Sequence, residues 1–234
     1  MRQFRFAPLL LVAIASPALA QDTLPPPQPA VPAAPAPRPA TVAVSLLTAD
    51  GPIIVELEKE RAPITTANFL RYVDARRFDG IAFYRAVAVP NMPELGLVQA
   101  GVNNDPRKLF PPIPHEPTTK TGILHTDGTI SMARNAPGTA AGDFFIVLGT
   151  QDYMNANPVQ PGDNLGYAAF GHVIQGIDIV KKMLAAPRSD KSPSPAMKGQ
   201  MLASPVKIIS ARRVKPSTLP AESEAMKTAR DRHP

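Results

Sequence analysis

The 234-residue chain contains no cysteine and no tryptophan, and aromatic residues make up only 6% of it. Without thiols it has no disulfide, no thiolate nucleophile and no sulfur ligand for a metal, so its fold must be held by an apolar core. The four histidines, His115, His125, His172 and His233, stand at none of the spacings that metal sites use, and no cofactor is expected. A G-x-S-x-G elbow is missing, and the segment from Gly96 to Gly101 lacks the Lys and Ser/Thr that complete a phosphate loop. These absences argue against serine hydrolysis and phosphoryl transfer. Charge is also sparse. The formal net charge is +6, and the doublets Arg76-Arg77, Lys181-Lys182 and Arg212-Arg213 are scattered without interleaved aromatics, which argues against a nucleic-acid partner. No apolar run reaches the roughly 20 residues needed to cross a bilayer, so no stable membrane insertion is expected.

What is present begins with a leader. Arg2 and Arg5 precede an apolar run over residues 6–15, followed by Pro17, Ala18, Leu19 and Ala20. That order reads as a secretory signal peptide over residues 1–20, cleaved after Ala20, and it implies a periplasmic destination. Residues 21–40 carry proline at nearly every second position and too little apolar bulk to fold. They read as a semi-rigid spacer of polyproline II character. Residues 41–216 are long enough for one domain that buries most of its apolar surface. Residues 217–234 are charged and poor in apolar side chains, and read as a mobile tail.

Within the domain, two β-rich runs flank Thr48-Ala-Asp-Gly51 and read as a hairpin. Pro63 opens a helical segment in which Thr66, Phe69, Leu70 and Val73 share one face, ending near Phe78-Asp-Gly80. Strand-length runs follow at 81–87, 96–99, 129–133, 144–148 and 167–174, then a helix over 177–186 stopped by Pro187, then a last strand over 206–214. Many short strands and two helices predict a mainly β architecture, a closed antiparallel β-barrel whose ends the helices cap.

One charged residue breaks the pattern. In Ile81-Ala-Phe-Tyr-Arg-Ala-Val87, a period of two places Arg85 on the face of Ile81, Phe83 and Val87. Such an arginine either snorkels to water, pairs with a carboxylate or performs a function.

The segments Ala62-Pro-Ile-Thr-x-x-Asn-Phe69, Phe78-Asp-Gly-x-x-Phe-Tyr-Arg85, Gly96-Leu-Val-Gln-Ala-Gly101, Gly128-Thr-Ile-Ser-Met-Ala133, Asp143-Phe-Phe-Ile146 and Ala169-Phe-Gly171 stand in an order that resembles the cyclophilin family of peptidyl-prolyl cis-trans isomerases. The resemblance runs from Thr41 to Lys215 and fits an exported bacterial member. It implies an eight-stranded barrel capped by two helices, catalysis of X-Pro bond rotation, proline-containing polypeptides as substrates, and a monomer. By the same resemblance Arg85 is the catalytic arginine and Gln99 orients it. Phe145 and Met132 line the proline pocket, Ala133 offers its backbone, Tyr153 or Met154 forms a wall, and Tyr167 stands where the family places His or Tyr.

Three features depart from the family pattern. About six additional residues, including Pro90 and Pro93, separate Arg85 from Gln99, and Gly96 replaces a pocket Phe. Asp143 and Arg134 stand where many members carry Gln and Asn, and the two are expected to pair across the groove. In the absence of Trp, Tyr153 is nearest the position that confers tight cyclosporin binding. The altered pocket leaves a second reading open, a chaperone module of the same fold that grips proline segments with little catalysis. A barrel enclosing a small apolar ligand would need a wide polar-lined lumen and long even alternation, which these short strands lack.

Overall fold

The computed structural model describes residues 39–103 and 105–215; the leader at 1–20, all but the last two residues of the spacer at 21–40 and the tail at 217–234 lie outside them. The hairpin forms as its turn chemistry dictates. Strands β1 (Thr41–Thr48) and β2 (Gly51–Glu58) pair antiparallel across a two-residue Ala49-Asp50 turn, which the Thr48 side chain braces through the Asp50 amide and the Gly51 carbonyl. Helix α1 (Pro63–Asp74) buries Thr66, Phe69, Leu70 and Val73, together with Tyr72 and Asn68. Its N-cap residue, Ala62, offers no side chain. The buried carboxylate of Glu116 serves instead, accepting from the amides of Ile64 and Thr65 and from the Thr65 hydroxyl. This satisfies orphan donors and places negative charge at the positive end of the helix. The helix ends four residues earlier than the sequence suggests, because residues 75–80 form turns that return the chain to the sheet.

The remaining strands are β3 (Ala82–Val89), β4 (Met92–Gly101), β5 (Thr129–Met132), β6 (Asp143–Leu148), β7 (Ala168–Gln175), β8 (Met201–Lys207) and β9 (Ser210–Arg213). Helices α2 (Thr118–Thr121) and α3 (Ile177–Ala185) complete the regular elements apart from short 3-10 turns. The sheet order is β8-β3-β4-β6-β5-β7-β2-β1-β9, all antiparallel. The expected count of eight strands in a closed ring is therefore corrected to nine in a curled sheet. The expected strand 206–214 is split, since Ile208 bonds Ile81 next to β3 while Ile209 bonds Leu47 on β1. The two edges are thus consecutive stretches of chain, joined by covalent linkage rather than by a ladder. Helix α1 lies against β2, β7 and β9, and α3 against β2, β3 and β4. Between them sits an aromatic core in which Phe69 meets Phe78, Phe144 and Phe170 at centroid distances of 4.9, 5.2 and 5.3 Å.

Candidate active site

A β-bulge decides where the arginine points. Phe83 pairs with Ala100 and Arg85 with Gln99, so Tyr84 is an extra residue on β3. Such an insertion reverses the inward and outward alternation that follows it. Phe83 and Ala86 therefore both face the core, and Arg85 lies on the opposite face from Phe83. This corrects the period-two expectation. Continuing across the sheet, Arg85 is opposite Gln99, Gln99 opposite Phe145, and Phe145 opposite Ser131, so four strands set these side chains in one row.

The Arg85 guanidinium donates from Nη1 to Gln99 Oε1 at 2.8 Å, and from Nε and Nη2 to Gln200 Oε1 at 2.8 and 2.6 Å. Its charge is oriented but not neutralised: no ion pair among the described residues includes Arg85. Of the five N–H donors of a guanidinium, these contacts leave one on each terminal nitrogen for another acceptor. The Gln99 amide is 7% exposed, and its Nε2 donates to the Tyr84 hydroxyl at 2.7 Å. Gln200 precedes β8 and is 115 residues from Arg85 in sequence. The sequence offers no sign of it.

Beside this polar end lies a second apolar cluster, separate from the main core. Buried Phe145, Val147 and Met154 form it, with Leu97, Ala133 and Tyr167 packed alongside. Tyr167 meets Phe145 edge-on at 5.3 Å, and His125 lies nearly parallel to Phe145 at 6.1 Å. His125 is buried and kept below its usual pKa by that burial. Asn155 Oδ1 accepts from the His125 backbone amide at 3.0 Å and lies 2.8 Å from Nδ1. Nδ1 must therefore carry the proton, and Nε2 accepts from the Ser131 hydroxyl at 2.9 Å. A neutral, doubly bonded ring thus backs the aromatic floor.

Several expected site residues are brought together here: Arg85, Gln99, Phe145, Ala133, Met154 and Tyr167. Tyr153 stands at the edge, 71% exposed on the turn Asp152–Met154. Met132 is separated from them. It pairs with Phe144 on the core face and belongs to the main core, because one step along a strand reverses the side. Leu97, two residues before Gln99 and opposite Val147, occupies the groove that Met132 was expected to line. Alternation from Gln99 would have identified it.

The departures from the family pattern have structural explanations. The additional residues between Arg85 and Gln99 lengthen the β3–β4 hairpin, whose turn Pro90-Asn91 has Asn91 at φ 63°. Gly96 has φ 150°, and a Cβ there would collide with the Val87 carbonyl. The space an aromatic ring would need is filled by the neighbouring strand. Asp143 and Arg134 do not pair. Arg134 holds Asp163 through two bonds at 2.9 and 3.0 Å, donates to the Gly166 carbonyl, and lies 5.3 Å over the Tyr167 ring. Asp143 accepts from the Asn103 amide at 2.9 Å. Each residue found a nearer partner on its own side.

The family model described as cyclophilin type peptidyl-prolyl cis-trans isomerase/CLD matches residues 43–212. The chain is 34% identical over 175 residues to a peptidyl-prolyl cis-trans isomerase of Acinetobacter baylyi, covering 73% of this chain and 85% of that one. It is 31% identical over 144 residues to peptidyl-prolyl cis-trans isomerase B of Escherichia coli, covering 60% and 82%. In fold it is similar to a Cryptosporidium parvum cyclophilin-type isomerase solved in the presence of the dipeptide Ala-Pro, with TM-score 0.57, 18% identity, and coverage of 74% and 99%. With a family match spanning β1 to β9 and an arginine held between two amides above an apolar groove, the chain belongs to the cyclophilin-type peptidyl-prolyl cis-trans isomerases.

Proposed function

We propose that this enzyme accelerates rotation about X-Pro bonds in exported polypeptides, with Arg85 as the catalytic donor and the groove of Leu97, Phe145, Met154 and Tyr167 as the seat of the proline ring. The observation that carries this reading is the state of Arg85: fixed by Gln99 and Gln200, without a carboxylate partner among the described residues, and with two N–H groups to spare. The barrier to rotation, ~18–20 kcal/mol, arises from amide resonance. In the twisted transition state the prolyl nitrogen regains its lone pair and can accept a hydrogen bond. The planar ground state cannot, so donation from Arg85 is differential and therefore catalytic.

An acceleration of about 10³–10⁵ requires ~4–7 kcal/mol. A charge-assisted hydrogen bond contributes about 1.5–3 kcal/mol net, so the groove must supply the rest by holding the ring while the other side of the bond turns. The leader-like residues 1–20 support action on exported proteins in the periplasm. The lack of a side chain at Gly96 favours one competing reading, a binder that grips proline segments but hardly turns them over. Exchange spectroscopy on an Ala-Pro peptide separates the two. Faster cis/trans exchange with the purified mature protein supports the enzyme, while shifted resonances without faster exchange support the binder. Cell fractionation that finds the chain only in the cytoplasm would remove the export part.

A further inference from the structure

We propose that Asp143 and Tyr84 are positioning residues for the isomerase reaction, which through a one-way hydrogen-bond relay hold the Gln99 amide with its oxygen toward Arg85. The proposal rests on the reading of Arg85 as the catalytic donor. A guanidinium only donates, so the Gln99 atom facing Arg85 Nη1 at 2.8 Å must be the oxygen. That leaves the Gln99 NH₂ facing the Tyr84 hydroxyl at 2.7 Å, which must accept. The Tyr84 proton must then go elsewhere, and we assign it to Asp143, the carboxyl that acts on Tyr84 across the side-chain-free Gly101 and that is acceptor-only when ionised. With that assignment every link from carboxylate to guanidinium has a single direction.

The carboxylate itself is seated firmly. The Asn103 amide, just past β4, donates to it at 2.9 Å. Gly101 lies against it where any Cβ would strike the carboxylate. The other groups facing it are Tyr84 from β3 and Tyr72 from α1, while Arg85 acts on Tyr84. No ion pair among the described residues includes Asp143. Tyr84 stands at the bulge, so the residue that turns Arg85 outward also carries the relay.

Protonation reverses the chain. A neutral carboxyl can donate to the Tyr84 oxygen, whose own proton then turns to Gln99. The amide must answer with its oxygen, and its NH₂ then confronts the guanidinium, donor against donor. Burial holds the Asp143 carboxyl above its ordinary pKa, so this reversal begins at a pH above that at which exposed carboxylates titrate. Asparagine at this position carries no charge and replaces one acceptor oxygen by a donor NH₂, so it does not enforce the direction that the carboxylate does.

The test uses exchange spectroscopy on an Ala-Pro peptide, which needs no coupled protease, between about pH 4.5 and 8. It compares the parent with Asp143→Asn, Tyr84→Phe, Gln99→Ala, and Gln99→Ala combined with Asp143→Asn, with thermal midpoints and peptide affinity measured in parallel. Asp143→Asn and Tyr84→Phe are expected to lower kcat/KM about fivefold to fiftyfold with peptide affinity within about twofold. The parent should lose activity toward acid pH, and Asp143→Asn should be flat over that range. On the Gln99→Ala background Asp143→Asn should cost nothing more, since the link it acts through is gone. The thermal midpoint of Asp143→Asn at neutral pH should be kept. Parent-like rate and acid limb in Asp143→Asn, or a loss that adds in full to that of Gln99→Ala, would overturn the relay. Should the parent fail to speed exchange, the isomerase reading falls and the spectra judge the relay alone. Gln99 side-chain amide and Arg85 Nε–H signals that follow one acid titration in the parent and not in Asp143→Asn support it, and signals that stay in place overturn it.

Discussion

Arg85 is held by amide oxygens on both sides, which fixes its direction without consuming its charge. The consequences of removing it follow from that arrangement. Deleting one member of a buried ion pair strands a charge at a cost of about 3–5 kcal/mol, but among the described residues Arg85 has no partner charge to strand. Arg85→Ala is therefore expected to leave the thermal midpoint nearly unchanged. The isomerase rate should fall at least about tenfold, and by about 10²–10³ if the ~3–4 kcal/mol of a preorganised donor is lost. A paired measurement of midpoint and exchange rate checks it, and a mutant that keeps the parent's rate would sink the assignment. Leu97 makes a different case. It is half-buried against the second apolar cluster and has no polar atom in its side chain. Leu97→Ala should raise KM about threefold to tenfold while kcat changes little, because it removes apolar surface that serves ground and transition states alike. A selective loss of kcat in initial-rate kinetics would instead place Leu97 in the chemistry.

At the scale of elements, the sequence carried what depends on local pattern. The Asp-Gly hairpin, the apolar face of α1 and the stop of α3 before Pro187 are each decided by residues adjacent in the chain, and they formed as read. What it could not carry depends on pairing between distant strands. The extra residue at Tyr84 is visible only against β4, and it moved Arg85 to the other face. Met132 and Ser131 differ by one step, and only the register with Phe144 and Phe145 decides which of them meets the groove. The start of β8 and Gln200 follow a stretch dense in Ser and Pro that gives no strand signal, yet Gln200 supplies two of the three bonds that hold Arg85. Gly96 shows the same dependence on pairing. Restoring the family's aromatic residue there does not rebuild the pocket, because its Cβ would meet the Val87 carbonyl and φ lies where side chains are strained. Gly96→Phe is expected to destabilise by about 2–5 kcal/mol, combining backbone strain with overpacking. Thermal melting checks this, and an unchanged midpoint would mean that β3 yields easily at Val87.

For the whole molecule, the question is how a curled sheet with two edges resists opening. The seam lies where β8 passes into β9, and Asp79, from the turn after α1, spans it. Its Oδ1 accepts from the Ala211 amide at 3.1 Å and from Arg212 at 2.7 Å, while Oδ2 accepts from Arg212 at 2.8 Å. Asp74 holds Arg213 next to it at 2.6 Å. Hydrogen bonding to Arg212 holds the Asp79 carboxyl below the usual range, as Arg213 does for Asp74. The sign follows from linkage. A carboxylate with a depressed folded pKa contributes stability above its unfolded value of about 3.9, and that contribution is lost as pH falls through the folded value. Asp143, raised by burial, acts in the opposite sense: its ionised form costs stability, and the cost is relieved as pH falls. Both partners at the seam are partly exposed, so the ion pair itself contributes only about 0.2–1 kcal/mol, and the Ala211 hydrogen bond about 0.5–1.5. Asp79→Ala, which loses both, should therefore destabilise by about 0.7–2.5 kcal/mol, at about 2–4 °C of midpoint per kcal/mol for a domain of this size. Asp79→Asn keeps an acceptor for Ala211 and should lose only the smaller share. Its midpoint should also fall less steeply than the parent's below about pH 4, because one of the depressed carboxylates no longer titrates. Melting curves of the three proteins between about pH 2.5 and 7 decide the matter. An Asp79→Asn variant with the parent's acid slope would show that the seam is held by its backbone bonds and apolar contacts alone.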